Sequence, residues 1–308
     1  MEHVFRLRRL WAVLAVYETG SALKAAALSH MSQPAITGAI GSCEADLGLS
    51  LFDRTSRGMR PTRAADVWCP RIAAAAAHLR EAEAAIRHWK SKSPMPIQRL
   101  VTESQLKALS AVIETGSFSQ AARQLGLSQP SVHRAARDLE TLCGVPLWRK
   151  DGALIEATAE ARTLARYGDL CLNEISLAWE AVRELQGIME GTLRVGTLPL
   201  ARSRWLPDAL AATLAEYPDI RVTIMDGGYT EQVGALLHGR IDCLLGAMRP
   251  VPDPELIQES VFGDPFVILV RHDHPFAPGF DSDTDKLTPE QLDGLSWILP
   301  RSGTPGRT

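Results

Sequence analysis

The chain has 308 residues, of which 45% are hydrophobic and 22% charged, and this excludes a mainly disordered protein while leaving room for two or three domains. The formal net charge of −3 gives no global sign of a nucleic-acid partner. The five cysteines are scattered, odd in number and free of C-x-x-C spacing, which argues against a disulfide framework or a zinc site and favours a reducing, cytoplasmic location.

The N-terminal segment predicts a helix rather than a targeting signal. Its short apolar run is interrupted by Glu18, so we expect neither a signal peptide nor a membrane span. Apolar residues recur at intervals of three and four over residues 7–17, which predicts an amphipathic helix that ends at Gly20.

Two further helices are predicted directly after it. A short Ala-rich helix covers about residues 22–28, and Ser32 is placed to cap a third helix that runs to about Leu47. Pro34 lies in the first turn of that helix, where a missing N–H costs nothing. A short helix, a turn and a capped longer helix form a helix-turn-helix, whose second helix enters the major groove of DNA. A plain three-helix bundle is the alternative.

The same pattern recurs 96 residues further on without a gap. The matching positions are Glu18 to Ser21 with Glu114 to Ser117, Ala25 and Ala26 with Ala121 and Ala122, Ser32 to Pro34 with Ser128 to Pro130, and Glu44, Gly48, Leu51 and Thr62 with Glu140, Gly144, Leu147 and Thr158. One register held over roughly 60 residues predicts a duplicated domain. We call residues 5–62 copy one and residues 99–158 copy two.

Copy one carries a specific set of motifs. These are Thr-Gly-Ser at 19–21, Ala-Ala at 25–26, Ser-Gln-Pro at 32–34, then Glu44-x-x-Leu47-Gly48-x-x-Leu51-Phe52-x-Arg54 and Arg57-Gly58-x-Arg60-x-Thr62. From about Phe5 onward the segment resembles the winged helix-turn-helix of LysR-type transcriptional regulators. Copy two is similar more loosely after Gly144. The family ordinarily has one such domain, so a tandem pair departs from its pattern.

The basic residues of the two copies lie in different places. The third helix of copy one has no Lys or Arg and contains two interior glycines, whereas the wing of copy one is rich in Arg. In copy two the third helix carries the basic residues, and the wing has none after Lys150. Because Arg commonly reads guanine, we expect specific contacts from copy two and phosphate contacts from the wing of copy one. Alternatively, copy one is structural, as a dimerisation or spacer module. The predicted DNA-binding residues are Ser32, Gln33, Pro34, Thr37, Arg54, Arg57, Arg60, Ser128, Gln129, Pro130, His133, Arg134 and Arg137.

The charge and the linkers fit this division. Residues 1–98 carry a net charge of +5, residues 99–191 of −2 and residues 192–308 of −6, so the positive part is at the front, where phosphate would be neutralised. Long amphipathic helices are predicted over residues 64–90 and 159–189. The first could pack against a partner or against its own chain, and the second has an apolar stripe that also suits an intramolecular core. The resemblance implies that linker helices pair two chains antiparallel, giving a homodimer or tetramer.

From Gly191 onward the pattern changes to alternating strands and helices. Strands are predicted at 192–198, 220–225, 241–246 and 266–270, with helices at 203–217 and 229–238, which indicates a parallel α/β sheet. This part resembles the first lobe of a periplasmic-binding-protein-like effector domain. Ligands bind such sheets beyond the carboxyl ends of their strands. The candidate effector-binding residues are Thr197, Leu198, Pro199, Ser203, Gly246, Ala247, Ser302, Gly303 and Thr304, although caps and a turn would explain them equally.

The sequence thus predicts a multidomain protein with two all-α winged helix-turn-helix domains and long linker helices, followed by an α/β lobe that we expect to be incomplete because the chain stops at Thr308. The expected bounds are 5–62, 63–98, 99–158, 159–190 and 191–308. The expected function is transcription regulation by a cytoplasmic protein. Its partners would be double-stranded DNA, a small-molecule effector such as a sugar or small organic acid, and RNA polymerase.

We expect no cofactor, no metal, no catalytic residues and no membrane partner. No G-x-S-x-G, Walker A, G-x-G-x-x-G or H-E-x-x-H pattern is present, and the two His and one Asp at 271–275 suit a solvated turn better than a metal site. The sequence leaves two other functions open. One is a solute-binding protein or enzyme built on the lobe, with the helical half as an oligomerisation module; the other is a redox sensor using Cys171 or Cys243, which lack neighbouring basic groups.

Overall fold

The protein is described by a computed structural model covering residues 6–56, 58–86, 96–151, 154–202, 205–250, 253–263 and 268–271, together with His274, Thr288, Glu290, Asp293, residues 295–299 and Ser302. By its contacts the chain divides into two compact units, residues 1–245 and 246–308.

Copy one forms three helices, a two-stranded wing and a long helix. The elements are α1 Leu7–Thr19, α2 Ala22–Ser29, α3 Gln33–Leu47, β1 Phe52–Thr55, β2 Gly58–Pro61 and α4 Arg63–Ala85. Helix α1 ends because Gly20 adopts a left-handed φ of 63°. The Thr62 hydroxyl caps α4 by accepting a hydrogen bond from the backbone N–H of Ala65 at 3.4 Å. The predicted helices, their glycine stop and the Ser32 cap are confirmed.

Copy two repeats this plan after a 3-10 turn at Ile97–Arg99. The elements are α5 Glu103–Thr115, α6 Phe118–Gln124, α7 Gln129–Cys143, β3 Trp148–Asp151, β4 Leu154–Ala157 and α8 Ala159–Leu185. Gly116 ends α5 with the same φ of 63° that Gly20 has. The Thr158 hydroxyl caps α8 by accepting from the Ala161 N–H at 3.1 Å.

The acidic residue repeated at positions 44 and 140 makes an equivalent hydrogen bond in both copies. A Glu44 carboxylate oxygen accepts from the backbone N–H of Leu51 at 2.7 Å. In copy two, a Glu140 oxygen accepts from the N–H of Leu147 at 2.8 Å. Each carboxylate ties the third helix to the chain entering the wing, because a charge-assisted bond satisfies a donor that the hairpin leaves free. The sequence repeat is therefore also a structural repeat.

The two long helices pack against each other within one chain. Three side-chain pairs join them: Trp68 with Trp179 at 5.3 Å between ring centroids, Arg71 with Glu174 at 3.2 Å, and His78 with Tyr167 at 6.4 Å between centroids. As the residue number rises along α4 it falls along α8, so the helices run antiparallel. Of the two arrangements open for these helices, the structure has the intramolecular one.

The remainder of the first compact unit is an α/β lobe. Its elements are β5 Thr192–Thr197, α9 Pro199–Arg202, α10 Trp205–Glu216, β6 Arg221–Asp226, α11 Tyr229–Leu237 and β7 Cys243–Leu245. The three strands are parallel in the order β6-β5-β7, which confirms the predicted parallel sheet. Thr197, Asp226 and Leu245 are paired across the sheet, so the three carboxyl ends share one edge.

Several predicted bounds were wrong. Helix α4 ends at Ala85, since Ile86 is extended, and α8 ends at Leu185, two residues before Gly187, whose φ of 76° does not continue a helix. The helix expected at 203–217 is preceded by a separate helix, α9, because Pro199 is well suited to a first helical turn. Of the strand expected at 266–270, residues 268–270 have no strand conformation, and 266 and 267 lie outside the described residues.

In the second compact unit, two hydrogen bonds join Arg249 and Gln258. The Gln258 side chain accepts from the Arg249 N–H at 3.3 Å and donates to the Arg249 carbonyl at 2.9 Å. Over the described part of the chain, no helix has the length and apolar character required to cross a membrane.

Candidate nucleic-acid interface and ligand-binding edge

The exposed N-terminal end of α3 carries the candidate residues of copy one. Ser32, Gln33, Pro34 and Thr37 are all exposed. The Ser32 hydroxyl accepts from the Ala35 N–H at 3.3 Å, and the Thr37 hydroxyl donates to the Gln33 carbonyl at 3.1 Å. Both hydroxyls thus have partners within the helix, which leaves the Gln33 amide as the polar group here with the longest reach.

The two glycines of α3 lie on its open surface. Gly38 and Gly41 are exposed, and neither has a positive φ. A Cβ added at either position would meet nothing within 4 Å. Neither packing nor backbone conformation requires glycine at these positions, so the space is open to a larger side chain or to a ligand.

The wing of copy one is fixed to the helices through its glycine. Gly58 has a φ of 129°, and an added Cβ would lie 2.5 Å from the Gly20 carbonyl oxygen. Next to it, the Met59 N–H donates to that same oxygen at 2.9 Å. Arg54 on β1 and Arg60 on β2 are exposed, whereas Arg57 lies outside the described residues. The close approach of the wing to the Gly20 carbonyl therefore fixes the position of Arg54 and Arg60 relative to the helices.

The exposed end of α7 is more strongly charged. Ser128 caps the helix by accepting from the Ser131 N–H at 3.3 Å. The side chains of Gln129, Pro130, Arg134 and Arg137 are exposed.

One predicted residue, His133, is in part a packing residue. It is half-buried, and its ring meets that of Phe118 edge to face with centroids 5.0 Å apart. Gln129 has a partner as well, since its side-chain oxygen accepts from the Ser119 hydroxyl at 2.9 Å. Arg134 and Arg137 are consequently the exposed basic residues of α7.

Two arginines of α7 occupy the positions that two glycines occupy in α3. With the offset of 96, Arg134 corresponds to Gly38 and Arg137 to Gly41. The wings differ in the opposite sense, because Arg60 corresponds to Glu156. The two copies thus share a backbone plan and present different chemistry on the same face.

At the carboxyl edge of the α/β sheet, the structure brings together only some of the predicted effector residues. Thr197 and Leu198 are 1% and 8% exposed, and the Leu198 N–H donates to the Leu245 carbonyl at 2.9 Å. Pro199 is exposed at the start of α9. In the second compact unit, Gly246 and Ser302 are exposed and Ala247 is half-buried; Ser203, Gly303 and Thr304 lie outside the described residues.

An ion pair at this edge was missed by the sequence analysis. The Arg202 guanidinium on α9 donates to Asp226, the last residue of β6, at 2.8 Å. It also lies 3.5 Å from the Thr197 carbonyl oxygen. The sequence does contain a signal for this ion pair, since Asp226 is an acidic residue directly after the strand predicted at 220–225. The pair adds a charged, half-exposed group where ligands of parallel sheets bind.

A second missed cluster joins the lobe to copy two. Asp169 on α8 accepts from the Ser110 hydroxyl at 2.5 Å and from the Arg240 guanidinium at 2.9 Å, and it lies 3.2 Å from a His238 ring nitrogen. Arg240 also pairs with Glu114 on α5 at 2.5 Å. The side chain of Asp169 is 14% exposed, so these charge-assisted bonds are shielded from water. A carboxylate on the linker helix thus connects the lobe with a helix of copy two.

Four of the five cysteines are buried, and the described residues form no cluster of metal ligands. Cys43, Cys69, Cys143 and Cys171 are buried, and burial raises the pKa of Cys43 and of Cys143 to about 12. Burial raises the pKa of Cys171 as well, which opposes the thiolate that redox chemistry requires. No group of three or more metal-ligating side chains occurs in the described ranges, and His272 and Asp273 fall outside them.

Family models match most of the chain. The "Bacterial regulatory helix-turn-helix protein, lysR family" model matches residues 7–66 and again 104–162, and the "LysR substrate binding domain" model matches residues 186–308.

Two curated relatives are named as transcriptional regulators. The chain is 31% identical over 302 residues to the HTH-type transcriptional regulator GalR of Pseudomonas putida, an alignment that covers 98% of this chain and 74% of that protein. It is 30% identical over 195 residues to the Hca operon transcriptional activator HcaR of Escherichia coli, covering 63% of each.

Solved structures with related sequences include full-length CbnR in complex with its target DNA, which is 30% identical, has a TM-score of 0.24 and covers 46% of this chain and 49% of that one. The family models and the names of the curated relatives confirm the prediction of a transcriptional regulator. The double match to the helix-turn-helix model, the match to the substrate-binding model and the 31% identity to GalR together show that this chain belongs to the LysR family of transcriptional regulators.

Proposed function

We propose that both copies are winged helix-turn-helix domains that bind double-stranded DNA, and that the α/β lobe binds a small-molecule effector. The proposed domain bounds are 5–62, 63–98, 99–158, 159–190 and 191–308. The observation that carries the proposal is the repeated, exposed and serine-capped end of α3 and α7, in segments that each match the family's helix-turn-helix model. A DNA-binding protein works where the chromosome is, so we place its action in the cytoplasm, with RNA polymerase as the partner of the bound regulator.

We assign different tasks to the two copies. Arg134 and Arg137 are exposed on α7 and can donate to guanine in the major groove. Arg54 and Arg60 on the wing of copy one are suited to phosphate contacts, which fix position without reading sequence. The exposed residues at the two helix N-termini would approach the DNA backbone and base edges, because the N–H groups there favour phosphate. These residues are Ser32, Gln33, Pro34 and Thr37 in copy one and Ser128, Gln129 and Pro130 in copy two.

The effector site is proposed at the carboxyl edge of the sheet. Pro199 is exposed there, and the half-exposed Arg202 guanidinium is a donor that an oxygen-rich ligand, such as a sugar or small organic acid, could share with Asp226. A ligand that moved α9 or β7 would act on the lobe that Asp169 ties to α5 and α8. Effector binding would in this way shift the equilibrium between two arrangements of the DNA-binding half.

The assignment of α7 is tested by alanine substitution at Arg134 and Arg137. After selection of binding sites from a random duplex library, each variant should lose about 1–3 kcal/mol of binding to the selected site and little binding to random duplex. Arg54→Ala and Arg60→Ala should weaken binding to the selected site and to random duplex by a similar factor. Arg221→Ala is the matched control, because Arg221 is exposed on β6 of the lobe.

Two results would oppose the proposal. Retention of full sequence preference by the Arg134→Ala/Arg137→Ala double variant would remove α7 as the reading helix. Failure of the protein to bind heparin or random duplex in a salt-dependent way would favour the rival, a solute-binding protein or enzyme with a helical oligomerisation module.

A further inference from the structure

The apolar faces of the two linker helices are satisfied within one chain. Helix α4 buries Trp68, Ile72 and Leu79, and α8 buries Leu164 and Ile175, all with exposures of 0%. These side chains belong to one continuous hydrophobic core that includes residues of both copies. Because each helix covers the apolar stripe of the other, this seam needs no second chain.

The contacts across the seam have two-fold character. With the offset of 96, position 71 corresponds to 167 and position 78 to 174. The Arg71–Glu174 pair and the His78–Tyr167 pair are therefore the same pair of positions with the copies exchanged. An interface in which residue i meets j and j meets i is the isologous arrangement of a two-fold dimer. Here the two halves of that dimer are joined in one polypeptide.

The pseudo-two-fold extends to the recognition helices. Helix α1 contacts both α4 and α3, and α5 contacts both α8 and α7, so each copy is mounted on its own linker helix in the same way. An axis that exchanges α4 with α8 consequently exchanges α3 with α7. Helix-turn-helix dimers use this symmetry to place two helices in successive major grooves of DNA.

We propose that a single chain, rather than a pair of chains, is the unit that binds a two-half-site operator, and that the two half-sites differ in sequence. This rests on the DNA binding proposed above. The half-site under α7 is read by Arg134 and Arg137 and contains guanine. The half-site under α3 faces Gly38 and Gly41 and is held by the Gln33 end of the helix and by phosphate contacts of the wing.

The first experiment tests pairing within the chain by chemical cross-linking. Arg71→Cys and Glu174→Cys are placed together in a Cys243→Ser background of the full chain, which removes the half-buried thiol while the other four native thiols stay buried. A short bismaleimide should give an intrachain product with the mobility of one chain. An equal mixture of the two single variants should give no linked product. A covalent dimer from that mixture would overturn pairing within the chain.

The second experiment measures the DNA complex formed by the full chain. Duplexes recovered from a random library are titrated at concentrations far above the dissociation constant, and native mass spectrometry counts the chains. We expect one chain per duplex, with a motif of two unlike halves. Scrambling the guanine-containing half should weaken wild-type binding by about tenfold and the Arg134→Ala/Arg137→Ala variant by much less.

The outcomes separate this inference from the proposed function. Recovery of no motif would oppose DNA reading itself and leave the cross-linking result standing. A motif of two identical inverted halves, or two chains on one pair of half-sites, would overturn the single-chain reader while supporting a DNA-binding regulator.

Discussion

Replacing the two glycines of α3 by the residues that stand at the same positions in copy two tests the division of labour between the copies. In Gly38→Arg/Gly41→Arg, each new side chain starts from a Cβ with open space around it. Arg has nearly the helix propensity of Ala and Gly is about 0.8–1 kcal/mol worse, so the double change should add about 1.5–2 kcal/mol to the free energy of unfolding. For a domain of this size that corresponds to a rise in Tm of roughly 3–8 °C.

The same substitutions should alter DNA binding through charge. Two further cations that reach phosphate make the salt slope of log K steeper by about 1.8, which is about twelvefold more affinity lost between 50 and 200 mM salt. The control is Gly38→Ala/Gly41→Ala, which should reproduce the thermal shift and leave the salt slope unchanged. Thermal unfolding and fluorescence anisotropy with random duplex measure the two effects. A fall in Tm for the alanine variant, or equal salt slopes for both variants, would refute the reasoning.

Three other predictions concern the remaining parts of the molecule. Gly58→Ala should detach the wing, because a Cβ would meet the Gly20 carbonyl at 2.5 Å and the positive φ disfavours alanine, and faster amide exchange at Met59 would show it. Burial raises the pKa of the Glu180 carboxyl. The folded state is therefore stabilised by protonation of Glu180, and this stability is lost as the pH rises from the ordinary pKa of a Glu carboxyl through its raised pKa in the folded protein. Glu180→Gln should flatten that part of the pH–stability curve in urea titrations. Ellman's reagent should modify Cys243 before any buried thiol, and early modification of Cys171 instead would contradict the structure.

Local features of the helical half could be read from the sequence because they depend on neighbours in the chain. Gly20, Ser32 and Ser128 act within one helical turn, and their roles as stop and caps follow from backbone geometry. The repeat shows each of these local signals a second time, in copy two. The predicted end of α8 at residue 189 lies beyond the observed end at Leu185, because the apolar spacing continues to Met189 although Gly187 leaves the helix.

Contacts between distant segments could not be predicted in the same way. The apolar stripes of α4 and α8 show that each helix needs a cover, but the stripe is the same whether the cover comes from the same chain or from another. The Arg202–Asp226 pair and the Asp169 cluster join residues 24 to 126 positions apart, and nothing in their local sequence marks the partner. Packing of whole elements decides such contacts, as it decided that His133 lies against Phe118.

The antiparallel seam between α4 and α8 also bears on how an operator would fill as the protein accumulates in a cell. An obligate dimer falls apart on dilution, so its DNA occupancy drops with the square of the chain concentration. A reader whose halves are held together covalently keeps its second helix near the DNA at an effective concentration set by the linker and not by expression level. Occupancy then rises with the first power of the chain concentration, which suits a regulator present in only a few copies.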